Sequence, residues 1–98
     1  MFRSSIKKRL AATAKEMAAL REDIGVLDEQ LQQAADEAED LRLRSIVSET
    51  PQAAKEHDDA EKWAATIRSD RERKASRLAE LEQKQDELLD ELVASQQS

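Results

Sequence analysis

The most constraining feature of this chain is an apolar seam that recurs every three, then every four positions over residues 6–41. Its members are Ile6, Leu10, Thr13, Met17, Leu20, Ile24, Leu27, Leu31, Ala34, Ala38 and Leu41, and ten of the eleven are apolar, Thr13 being the exception. A spacing of this kind, held for about five heptads, is useful only to a long helix lying against another helix. In the heptad frame Leu10, Met17, Ile24 and Leu31 take a positions, and Leu20 and Leu27 take d positions.

A partner for this helix is present in the same chain. Ser48, Glu49, Thr50 and Pro51 make the one strong break in the helical pattern. Pro51 has no backbone N–H to donate and disfavours helix at Thr50. Thr50 as N-cap with Pro51 at the first helical position is a helix-start signal. The second half continues the seam through Ala53, Ala60, Ala64, Ile67, Leu78, Leu81, Leu88 and Leu92, with His57, Arg71, Lys74 and Gln85 interrupting it. The halves match in length, and a short connection makes antiparallel neighbours. The expectation is an all-α fold: an antiparallel two-helix hairpin of coiled-coil type in one domain, with helix over 5–47, turn over 48–50 and helix over 51–94. Ser4 or Ser5 is the expected N-cap of the first helix, and Ser95, Gln96, Gln97 and Ser98 are expected to fray.

Charge tests the pairing. If the turn centres on residues 48–50, residue i faces about 99 − i. Arg68, Arg71, Arg73, Lys74 and Arg77 then lie across from Glu22, Asp23, Asp28 and Glu29, and Arg3, Lys7, Lys8 and Arg9 lie near Glu87, Asp90 and Glu91. Both matches are of opposite sign, and polar groups in a seam can fix its register. Near the turn the match fails. Asp36, Glu37, Glu39 and Asp40 face Asp58, Asp59 and Glu61, which makes an acidic collar below the tip.

Composition excludes most chemistry. Charged residues are 39% of the chain and aromatics 2%, a mix that builds long helices and no thick core. There is no Cys, hence no disulfide, thiol catalysis or thiolate metal site. His57 is the only histidine, and no Gly-containing calcium loop or phosphate-cradling loop is present. Carboxylate pairs abound, but nothing desolvates them enough to tune an acid catalyst. The expectation is a non-enzyme with no cofactor and no metal. The net charge of −6 disfavours sequence-independent nucleic-acid binding. No apolar run approaches the ~20 residues of a membrane span, and the N-terminus lacks the apolar core of a signal peptide. A cytoplasmic protein is expected. Phe2, Ile6 and Leu10 beside the bases of residues 3–9 form a short amphipathic stretch, which makes a weak nucleic-acid or membrane contact an alternative.

Two surfaces are candidate contact sites. At the tip, Arg42 and Arg44 stand with Ile46 and Val47, apolar residues with no evident core to cover them, and these four are the candidate partner-binding residues. On the outer face Ala11, Ala18 and Gly25 at b, with Ala12, Ala19 and Val26 at c, form a stripe of small residues. Ala11, Ala18, Gly25 and Val26 are the candidate self-association residues, through which two hairpins would form a four-helix bundle. Trp63, at a g position, is expected to pack across the seam flank near Ala35.

The size, the hairpin and the central turn resemble the small secreted WxG-type helical hairpins of bacterial type VII systems. That family carries Trp-x-Gly at the turn and a Tyr-containing export motif. Here the turn reads Ser48, Glu49, Thr50, Pro51, Trp63 lies inside the second helix, and there is no Tyr, so the likeness is one of architecture. It implies, as an alternative function, export together with a partner. The stretch 41–51 also resembles small uncharacterised bacterial coiled-coil hairpin proteins, which implies no particular activity. Coiled-coil hairpins that enter the RNA polymerase secondary channel are similar in their acidic and apolar tip region, but the second domain they carry is absent here. The leading expectation is a non-catalytic coiled-coil adaptor that binds a protein partner or itself.

Overall fold

The computed structural model describes residues 2–97, apart from the side chain of Phe2. Met1, Ser98 and the Phe2 part of the amphipathic stretch lie outside the described residues. Two helices account for the fold, α1 (Phe2–Ser48) and α2 (Pro51–Gln97), joined by Glu49 and Thr50. The protein is an all-α helical hairpin.

The turn is built from complementary helix ends. Glu49 adopts φ 50°, and its N–H donates to the Ser45 carbonyl at 3.1 Å. That bond closes α1 in a left-handed cap, the conformation that usually selects Gly or Asn. Thr50 then starts α2. Its Oγ1 accepts from the Ala53 N–H at 3.1 Å and its carbonyl accepts from Ala54 at 3.1 Å. Thr50 is thus the N-cap and Pro51 the first helical residue, where its missing N–H has no helical partner to lose.

The outer helix ends differ from expectation. Ser4 and Ser5 lie inside α1, which begins at Phe2. Nothing in Phe2, Arg3 and Ser4 breaks a helix, and buried Ile6 fixes the turn that follows. At the other end α2 runs through Ser95, Gln96 and Gln97, where the Ser95 hydroxyl donates to the Leu92 carbonyl at 2.7 Å.

All eleven seam positions of α1 are buried or half-buried, and along the rest of the helix the described side chains are exposed except for Ser45. Thr13 fits because its hydroxyl donates to the Arg9 carbonyl at 2.8 Å, so no polar atom is left bare at a site only 3% exposed. On α2 the eight apolar seam residues are covered to some degree, and so are the interrupting His57, Arg71, Lys74 and Gln85.

Contacts between the helices gather into two units. The terminal unit comprises the chain up to Asp23 and the chain from Lys74, and the turn unit comprises Ile24–Arg73. The terminal unit buries Ile6, Met17, Leu81 and Leu88. Its helices are also tied by Lys74 to Asp23 at 3.1 Å, Arg77 to Glu16 at 3.1 Å and Arg9 to Glu91 at 3.9 Å. Arg77 therefore meets Glu16 instead of the Glu22–Glu29 group, its long side chain reaching along the helix pair. In the turn unit Ala34, Ala64 and Ile67 pack together, with Leu27 and Leu31 against them. Here the Arg71 guanidinium donates to Asp28, the residue that the register rule assigns to it. The hydrogen bond, reinforced by the opposite charge, holds the Arg71 pKa above the ordinary arginine value.

Candidate interaction surface

In the turn unit most of the fully buried apolar residues are alanines, and several larger apolar side chains are exposed. Three of its four buried apolar residues are Ala34, Ala38 and Ala64, with Ile67 the fourth. Val26, Leu43, Ile46, Val47 and Trp63 are all exposed large hydrophobics of the same unit, whereas the terminal unit has Leu89 and Val93. Small side chains suit the seam of a hairpin near its turn, but they remove little apolar surface from water.

The four tip residues divide into two kinds. Ile46 is 57% exposed and Val47 is 86% exposed. Arg42 and Arg44 are held along their own helix. Arg42 forms two hydrogen bonds to the Glu39 carboxylate, at 2.9 and 2.7 Å, and Arg44 reaches Asp40 at 3.0 Å. The Arg42 hydrogen bond holds the Glu39 pKa below the ordinary glutamate range, and the nearby Arg42 and His57 charges add to the effect. Any support this gives α1 is present above the ordinary glutamate pKa and is lost as the pH falls through the lowered one.

Trp63 does not pack near Ala35. Its indole is 58% exposed and lines a groove of about 360 Å³ with Ala34, Glu37, Leu41, Glu56, Asp59 and Ala60. The heptad frame gives the reason. In an antiparallel pair one g flank faces the other g flank, so Trp63 meets Glu37 at g, while Ala35 at e belongs to the opposite flank. A second hollow on the other side of Trp63 is lined by Gln30, Gln33 and Ile67. Toward the turn a third, about 490 Å³, is lined by Leu43, Arg44, Val47, Ala53 and Glu56. The third has Glu56 in its lining, as the Trp63 groove does.

The acidic collar is only partly neutralised. Glu39 and Asp40 have Arg42 and Arg44, and Glu61 lies 3.4 Å from His57 Nε2. Among the described residues, Glu37, Glu56 and Asp59 form no ion pair. The groove beside Trp63 therefore has an apolar floor and a rim of carboxylates without a cationic partner, of which Glu56 accepts a hydrogen bond from Gln52 at 3.2 Å.

The small-residue stripe is open in both units. Ala11 and Ala18 are exposed in the terminal unit, as are Gly25 and Val26 in the turn unit. A Cβ at Gly25 would meet nothing within 4 Å. In the seam, Arg71 is accommodated by the carboxylate of Asp28 and Lys74 by that of Asp23. Among the described residues no group of three or more His or acidic side chains is arranged to hold a metal ion. Among the described residues no helix is long and apolar enough to cross a membrane. No protein-family model, curated protein or solved structure matches the chain, so a functional reading has to come from the chemistry of these surfaces.

Proposed function

We propose that the protein is a non-catalytic coiled-coil interaction module whose turn unit docks onto a protein partner. The observation that carries this reading is the distribution of apolar side chains in that unit: its fully buried residues are alanines apart from Ile67, while Leu43, Ile46, Val47 and Trp63 are exposed. Exposed apolar residues clustered around a polar rim are a common sign of a contact surface. The four candidate tip residues take different parts. Ile46 and Val47 supply apolar contact, while Arg42 and Arg44, held by Glu39 and Asp40, offer fixed positive charge at its edge. Self-association is a further property in this reading, and the open faces of Ala11, Ala18, Gly25 and Val26 support it.

The test is co-purification from the native cell with wild-type protein and with Ile46→Asp combined with Val47→Asp. The variant is expected to keep its helicity and to lose the partner. Loss of helicity would mean that the tip serves the fold, and unchanged recovery of the partner would remove the tip from the interface. We place the module in the cytoplasm. Recovery of wild-type protein from the culture medium, together with a co-exported partner, would favour the secreted-hairpin alternative. Salt-sensitive binding to lipid vesicles or DNA, lost on deleting residues 1–9, would favour the nucleic-acid or membrane alternative.

A further inference from the structure

We infer that the groove beside Trp63 binds an amphipathic helix of a protein partner and seats a lysine or arginine of that helix over the indole, between Glu37, Glu56 and Asp59. This deepens the interaction-module reading and rests on it. Three features of the turn unit select such an occupant.

The first is the indole. Trp63 is the only Trp in the chain, it is more than half exposed, and hollows lie on both sides of it. A tryptophan face attracts a cation more strongly than the other aromatic faces do. The second is charge. Glu39 and Asp40 are paired with Arg42 and Arg44, whereas Glu37, Glu56 and Asp59, which line the groove, form no ion pair, although Lys55 and Lys62 neighbour Asp59 along α2. A positively charged side chain entering there would meet Glu37 from α1 and Glu56 and Asp59 from α2. The third is form. Three neighbouring hollows line α2 between Ala53 and Ile67, about four turns or roughly 21 Å, and the middle one has Ala34, Leu41 and Ala60 in its lining. A third helix can lie along such a flank between two others, placing its apolar stripe toward Leu43, Val47 and the alanines.

The same features disfavour a second copy of the chain as the occupant. A twofold interface brings each surface against itself. With the twofold axis at the groove, Glu37, Glu56 and Asp59 would come close to their own equivalents in a protein that already carries a net charge of −6. A basic helix removes that repulsion and supplies the missing counter-charges.

The experiment uses the full chain and a display library of 18-residue helix-forming peptides. The library has a fixed leucine stripe, with Lys, Gln and Glu randomised on both flanks. Selection is expected to enrich Lys beside the stripe, and the selected peptides should shift the emission of Trp63 to the blue in a saturable titration. Glu37→Gln, Glu56→Gln and Asp59→Asn together should weaken these peptides at least tenfold, at unchanged helicity by circular dichroism. Trp63→Leu, followed by calorimetry in place of fluorescence, should weaken them similarly. Peptides that bind Trp63 with no preference for Lys over Glu would overturn the inference and leave the interaction-module reading standing. Failure to select any peptide would count against both. Emission that shifts with protein concentration alone, in step with dimerisation, would assign the groove to a second copy and also overturn it.

Discussion

Glu49 holds a left-handed φ of 50°, a region in which an L side chain other than Asn or Asp is unfavourable. It stays there because its N–H closes α1 onto Ser45 while Thr50, the next residue, opens α2. Relief of this local cost is measurable. Glu49→Gly should stabilise the protein by about 0.5–1 kcal/mol, the steric gain exceeding the greater entropy that glycine loses on folding. Urea unfolding should show a higher midpoint at unchanged slope. Glu49→Ala keeps a Cβ and should give little of that gain, whereas Thr50→Ala should cost about 1 kcal/mol by removing the cap on Ala53. Equal midpoints for the Gly and Ala variants would show that the conformation at residue 49 carries no cost. The left-handed cap was illegible in the sequence, because the residue that adopts it is Glu. The cap at Thr50 was legible, since Thr followed by Pro leaves a helix few other ways to begin.

At the scale of the helices, periodicity carried most of the fold. Each expected seam position is at least half-buried, down to the four polar residues that interrupt α2. Heptad spacing fixes which face of a helix is covered, whatever covers it, and charge complementarity then fixes the register. The Arg71–Asp28 and Lys74–Asp23 pairs arose from that second argument. What the spacing could not give was the outer end of either helix, where no capping signal or breaker marks a stop. It was also misapplied at Trp63, which was expected near Ala35 at e although the g flank of an antiparallel partner is the one that faces a g residue. The register can be tested by exchange. Arg71→Glu and Asp28→Arg should each lower the urea midpoint, and the double exchange should recover part of the combined loss, since the two groups are hydrogen-bonded. Strict additivity would mean that the pair does not couple, and the contribution is small in any event because both side chains are substantially exposed.

For the molecule as a whole, the decisive quantity is how little apolar surface is buried. The described side chains that are fully covered include large ones, such as Leu81 and Leu88, in the terminal unit, but mostly alanine in the turn unit. Scaffolds below about 70–80 residues rarely exceed ~3–5 kcal/mol of stability without staples or oligomerisation, and so thin a core brings this longer chain toward the same limit. With no Cys, no disulfide can supply the difference. Association is therefore expected, as a homodimer at micromolar concentration, with the small residues of α1 allowing a second helix to approach closely. The two ends of the stripe are best tested one at a time. Ala18→Glu alters the terminal unit and Gly25→Glu the turn unit. Glu is a far better helix former than Gly, so Gly25→Glu should raise helicity, by about 1 kcal/mol of helix propensity, while weakening the dimer. Its Cβ meets nothing within 4 Å in the single chain, so no clash inside the hairpin would confuse the result. Sedimentation equilibrium reads the outcome. A dimer split by either substitution assigns that part of the stripe to the interface. A wild-type chain that stays monomeric and fully helical at high concentration would leave the stripe as helix-favouring alanine on a solvated face, and the proposed docking of a partner would then rest on the apolar surface of the turn unit.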